Sequence, residues 1–257
     1  MMGYSHAVIG AAGATAVAGV MGAVSPQDYI VAVTVGVIGG VLVDIDVRNR
    51  KTAHEKMTDA GRTRWAMLGL VVVCLLLDYF LKYGILQAIT ERRNNAVIGL
   101  VLFGVVLLVA RMIKGHRTFS HSLLFVFLTT VGIYLIYPAM TIYYLAGSFL
   151  HVFVDLFNNP VPGPNDDWNK KHGIWLLYPI KGKGISFGIC KAGGIGNKIL
   201  YFAGVMSYLI LTVIYCMSFS EGNEAMPIVI VSLYLLVVLH LVRKESEKEL
   251  QNKRRNR

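Results

Sequence analysis

Charge is scarce in this 257-residue chain: 16% of its residues are Asp, Glu, Lys or Arg, against 55% that are hydrophobic. Few soluble domains of this size show that balance, so a bilayer is the expected solvent. Cysteine is scarcer still. Cys74 and Cys216 lie inside apolar runs, Cys190 stands alone in a loop, and no Cys-x-x-Cys pair exists, which argues against a disulfide framework and against a thiolate zinc site. The first six residues contain no Lys or Arg, so the apolar stretch from Ala7 to Val24 lacks the positive leader of a signal peptide and is read as a retained helix. No repeat or low-complexity block is present. The loop Gly193-Gly194-Ile195-Gly196-Asn197-Lys198 lacks the Gly-x-x-x-x-Gly-Lys-Ser/Thr pattern of a phosphate loop and reads as a turn.

What the chain has is apolar runs long enough to cross a hydrocarbon core, which takes roughly 20 helical residues. Spans are expected near 7–24, 29–45, 66–83, 96–113, 121–137, 139–157, 199–219 and 226–242. The fold class is therefore all-α, a polytopic transmembrane bundle of about eight spans. The first two are built largely from Gly, Ala and Val, and Gly36-x-x-x-Gly40 is either a close helix contact or an incidental pair.

A net charge of +10 raises nucleic-acid binding, but its distribution gives a topology instead. Of 25 Lys and Arg, 22 fall in 46–65, 111–120, 158–198 and the tail from Arg243, while the intervening connections hold only Lys82, Arg92 and Arg93. Positive residues favour the cytoplasmic side, which puts both termini inside. Topology and contact with anionic membrane lipids account for the charge, and nucleic acid is not an expected partner.

With that topology, several ionisable residues gather at the cytoplasmic face. His6 opens the first span, Asp44 and Asp46 close the second, His116 and His121 bracket the entry to the fifth, and His151 and Asp155 end the sixth, with His172 in the loop beyond. Ionisable groups at such depth usually face a bundle interior and mark function. His151 and Asp155, four apart, stack imidazole and carboxylate on one helical face, as a chelating pair requires. The alternative for that pair is a satisfied His–Asp hydrogen bond. For Asp44-x-Asp46 it is an ion-paired turn with Arg48 and Arg50, and for the run from His116 to Ser122 it is helix capping, with Ser120 as the N-cap. Imidazoles and carboxylates suit a divalent metal, zinc first, with manganese or iron as alternatives. His54, in the basic loop, and His240, near the end of the last span, have no acidic partner at helical spacing.

On these residues the sequence resembles the YdjM-type family of membrane-bound metal-dependent hydrolases of the inner membrane. The resemblance runs in order through His6, Gly39–Asp46, His116-Arg117-x-x-Ser120-His121-Ser122, Gly147–Asp155 and Gly173–Ile180, covering roughly residues 1–190. It departs at Val47, at Thr118 and in the insertion from Asn158 to Lys171. The resemblance implies a hydrolase-like membrane domain over 1–198, followed by two additional helices over 199–242 and a basic cytoplasmic tail over 243–257.

The word hydrolase comes from that resemblance. The residues themselves argue for one or two divalent cations held by subsets of His6, Asp44, Asp46, His116, His121, His151 and Asp155. Asp46 is the expected proton acceptor, and Arg117, with Arg48 and Arg50, is expected to meet an anion, which points to a phosphoester or lipid head group as substrate. The competing readings are a cation transporter using the same residues and a membrane scaffold needing none of them. Ligands crowded at one face favour a surface site over a conduit. The sequence does not speak to oligomeric state.

Overall fold

The computed structural model describes all residues except 23–24, 48–56, 114, 164–166, 181–183, 220–221 and 256–257. The described chain is helical: α1 (Gly3–Val20), α2 (Pro26–Leu42), α3 (Asp59–Leu81), α4 (Ile85–Glu91), α5 (Arg93–Met112), α6 (Leu123–Ile136), α7 (Thr141–Asp155), α8 (Ile195–Met217) and α9 (Gly222–Arg255). Short 3-10 turns at Val43–Asp46, Phe119–His121 and Pro138–Met140 end or join these helices. The insertion expected from Asn158 to Lys171 contains an antiparallel hairpin, β1 (Val161–Gly163) with β2 (Asp167–His172).

Local sequence sets several of the boundaries. Ser25 caps α2, accepting from the Asp28 amide at 3.1 Å, with Pro26 in the first turn. Thr58 caps α3 through the Gly61 amide at 3.2 Å. For α6 the cap is Ser122, which accepts from the Phe125 amide at 3.1 Å, and not Ser120, whose hydroxyl is engaged elsewhere.

Among the described residues five helices are long and apolar enough to cross a bilayer: Pro26–Asp46, Asp59–Leu81, Arg93–Met112, Ile195–Met217 and Ala225–Asn252. The count of eight is not confirmed: the expected spans at 7–24, 121–137 and 139–157 correspond to α1, α6 and α7, which are not among the five. α6 has 14 residues and α7 has 15, and at ~1.5 Å per residue that is ~21–23 Å, short of a hydrocarbon core of ~30 Å.

α2 is the central element: 83% of its apolar window is buried, against 17% for α5. It packs on α1, α7 and α3, while α8 lies on α1 and α9 on α3. Glycine permits the α1–α2–α7 approach. A Cβ on Gly40 would stand 2.5 Å from the His6 carbonyl oxygen, and one on Gly36 would stand 2.5 Å from that of Gly10. Gly36-x-x-x-Gly40 is thus a close contact with α1. At the far end of α2, Tyr29 Oη meets Tyr208 Oη at 2.9 Å, Thr212 Oγ1 at 2.6 Å and Ser232 Oγ at 2.9 Å, a buried hydroxyl cluster joining α2 to α8 and α9.

The charged stretch set apart by composition at the C-terminus continues α9 as a single helix to Arg255. Its Glu249 pairs with Arg62 at 3.0 Å, and its Ser246 hydroxyl donates to Asp59 at 2.8 Å. Asp59 also accepts from the Gly3 amide, so α3 ties the start of α1 to the end of α9.

Candidate metal centre

The start of α1, the end of α2, the loop before α6 and the end of α7 meet at one end of the bundle, and they bring together all seven residues singled out as ligands. Two contiguous groups result, Asp44, Asp46, His116 and His121, and then His6, His151 and Asp155. His121 Nε2 lies 3.3 Å from His151 Nε2, 3.5 Å from Asp44 Oδ1 and 3.4 Å from Asp155 Oδ2. His151 Nε2 lies 3.6 Å and His116 Nε2 3.9 Å from Asp44 Oδ1. His6 Nε2 is 3.1 Å from Asp155 Oδ1, and its ring stacks on that of His151 at 3.7 Å.

The opposite edges of three imidazoles fix which nitrogen faces the cluster. His151 Nδ1 donates to the Gly40 carbonyl at 2.6 Å. Ser120 Oγ donates to Asp46 Oδ2 at 2.9 Å and therefore accepts from His121 Nδ1, also at 2.9 Å. His116 Nδ1 donates to Asp46, 3.1 Å from either carboxylate oxygen. Each of the three rings thus carries its proton on Nδ1 and turns the Nε2 lone pair inward, as metal-ligating histidines do when an outer acceptor holds the other nitrogen.

The donor set fits a divalent cation. Metal–ligand bonds of about 2.0–2.1 Å in tetrahedral array separate neighbouring ligand atoms by roughly 3.3–3.5 Å, close to the spacing of His121, His151, Asp44 and Asp155. The converging atoms are also the ones left over: Asp44 Oδ1, Asp155 Oδ2 and both nitrogens of His6 are buried without a hydrogen-bond partner. Several of these atoms sit at ion-pair distance from one another, but proximity without hydrogen-bond geometry does not repay their desolvation. Access is one-sided, since His121, His151, His6 and Asp155 are fully enclosed whereas the His116 side chain remains 32% exposed. His116 forms the mouth, with the enclosed Asp46 carboxylate behind it.

The outer support came only partly from the sequence. Arg117, expected to face an anion, is buried; its Nε lies 3.2 Å from Asp155 Oδ2 and its Nη1 donates to the Asn159 carbonyl at 2.8 Å. Arg64, read only as topological charge, sends its guanidinium to the carbonyls of Ile45 at 3.2 Å and Val47 at 2.7 Å, holding the turn that presents Asp44 and Asp46. Asn158 donates to Asp155. Asn197 of α8 accepts from the Met2 amide at 2.9 Å and donates to Tyr4 Oη at 3.2 Å, anchoring the turn that carries His6. Apart from Asn158, three residues beyond Asp155, none of these partners has a spacing signal, because each crosses between separate elements. His172 lies in neither group; its Nδ1 bonds the Gly173 carbonyl at 2.8 Å and its ring rests by Trp175. His240 is exposed on α9. His54, Arg48 and Arg50 lie outside the described residues.

The segment Gly173–Ile180 braces the histidine loop: the Trp175 amide donates to the Arg117 carbonyl at 3.1 Å and the Leu123 amide to that of Leu176 at 2.9 Å. Apolar helices enclosing a His/Asp constellation of this kind define an integral membrane protein with a buried site able to hold a metal ion. The chain belongs to the YdjM inner membrane protein family, whose model matches residues 1–245 and so extends over α8 and most of α9 as well as the motif strings. Searches of curated proteins and of solved structures gave no significant match.

Proposed function

We propose that this protein is a membrane-bound metal-dependent hydrolase acting at the cytoplasmic face on a phosphoester or lipid head group. The observation that carries the reading is the inward convergence of three Nε2 atoms on the Asp44 carboxylate, each imidazole held from behind. The hydrolytic class follows the resemblance to YdjM-type hydrolases, with which membership of the family is compatible. His121, His151, Asp44, Asp155 and His6 would hold one or two cations, zinc being the best match to the donor types. When bound, such a cation would supply an activated water at neutral pH and polarisation of the scissile group. Asp46, which fixes the orientation of His116, makes with it the pair that takes the proton at the open side of the site. Arg117 offsets the charge of Asp155. The crowding of ligands at one end of the bundle supports a surface site over a through-membrane path.

Metal analysis of detergent-purified protein, beside turnover of phosphoester and lipid-phosphate substrates, tests the proposal. His121→Ala, His151→Ala and Asp155→Ala should each weaken metal binding by at least about tenfold, and His240→Ala should bind normally. Equal metal in all four variants sinks the metal site. Selective metal loss with no hydrolysis by the parent protein leaves the site standing and removes the hydrolase.

A further inference from the structure

Between the end of α7 and the start of α8 the described residues 156–163, 167–180 and 184–194 hold little regular structure beyond β1 and β2, yet they present large apolar side chains outward. Ile180 is 70% exposed, Phe187 58% and Ile189 72%. Isolated exposed apolar residues are ordinary, but these continue the exposed apolar face of α7, where Phe149 and Phe153 also lie open. Phe149 and Phe153 stack along the outer face of α7 at 6.5 Å, Phe153 meets Phe157 at 5.6 Å, and Phe157 meets Phe187 at 5.3 Å. The aromatic ladder passes from helix to loop without a break.

Non-helical backbone tolerates an apolar medium only when its polar groups are paired internally. Much of this backbone is. The Phe187 amide donates to the Leu156 carbonyl at 2.7 Å, the Ile189 and Cys190 amides to that of Phe157 at 2.9 and 2.8 Å, and Asn159 to Cys190 at 2.9 Å. Ile174 and Ile185 exchange both bonds, at 2.8 and 2.9 Å. The charge is equally one-sided: between 157 and 198 the sequence carries six Lys against only Asp166 and Asp167, a composition suited to anionic head groups.

We infer that the described residues 156–163, 167–180 and 184–194 form an interfacial collar, with their exposed apolar side chains set in the head-group and acyl boundary of an anionic leaflet beside the mouth of the metal centre. Proximity to the mouth follows from the bonds from Trp175 to Arg117 and from Leu176 to Leu123. On the hydrolase reading, an amphiphile already in the leaflet is then the substrate placed to meet His116. The depth of the collar is measured independently of metal and of turnover.

Nitroxide labels at Ile180→Cys and Ile189→Cys, in a chain with Cys74, Cys190 and Cys216 replaced by alanine, would be read in proteoliposomes of phosphatidylethanolamine and phosphatidylglycerol. Ile210→Cys on the exposed face of α8 and Gln251→Cys on α9 are the lipid and water references. Phe187→Cys gives an independent position should either isoleucine variant lose monodispersity. The collar predicts collision with oxygen in the sense of Ile210 and several-fold less collision with a water-soluble nickel chelate than at Gln251. Labels that behave like Gln251 overturn the inference, and labels shielded from both relaxers overturn it too, because a second protein then covers the patch.

Discussion

Ser120→Ala removes one hydroxyl and should be felt at the metal. That hydroxyl bridges Asp46 and His121, 2.9 Å from each, and both Ser120 and His121 are almost wholly enclosed. Without it, the His121 Nδ1 proton has no acceptor and Asp46 loses a donor. The imidazole is then free to shift its proton to Nε2, the atom facing Asp44, Asp155 and His151. Loss of such an outer partner typically costs about 10–100-fold in metal affinity, or about 1.4–2.7 kcal/mol. Ser148→Ala is the matched control, since its equally buried hydroxyl donates to the Tyr144 carbonyl within α7 and touches no ligand. Competition against a chelating dye in detergent, on both variants and the parent, reads the difference. Wild-type affinity in Ser120→Ala would refute the assigned tautomer, and an equal loss in Ser148→Ala would show that the effect is general loosening.

Gly40→Ala should destabilise the bundle by about 1–3 kcal/mol, because the added methyl collides with the His6 carbonyl and must push α1 from α2; an unchanged melting temperature in detergent contradicts the close approach. Tyr29→Phe should cost about 0.6–1.7 kcal/mol, the range for hydrogen bonds between membrane helices, since it strips three hydroxyl partners of their common neighbour; thermal unfolding beside the parent measures it, and a gain in stability would oppose it. Reporter fusions after Arg64 and Arg257 should read cytoplasm, and one after Gly222 the opposite side, with an external signal at Arg64 overturning the orientation.

The residues of the cluster were legible because few side chains suit a metal and a helix repeats them at known intervals: His151 and Asp155 announced themselves by spacing. Their outer partners were not. Gly40 contributes a carbonyl, which has no letter in the sequence. Arg64 looked like any other basic residue in a membrane protein, where charge placement answers topology and interior pairing alike, and Arg117 was read as a partner for an anion when it pairs with Asp155. A helix lies in each of the eight expected spans, but which of them are long enough to cross was not legible, since hydropathy registers apolar residues in the turns at Phe119–His121 and Pro138–Met140 as readily as in helices. The hairpin at 161–172 was seen only as an insertion, because its composition is that of a polar loop.

The length of α9 has a mechanical consequence. Thirty-four continuous residues make a rod of ~51 Å, about 20 Å more than the hydrocarbon core can hold. A segment that composition alone would treat as a tether is instead a stiff spacer, braced against α3 by Arg62 and Asp59. A flexible linker spreads its cargo over a volume that grows with its length, whereas a rod confines it to a shell at one radius. A binding module attached near Arg255 would therefore experience an effective concentration for targets at the membrane surface set by the direction of the helix axis, and a break placed in the outer turns of α9 would change that concentration without altering a single contact at the metal centre.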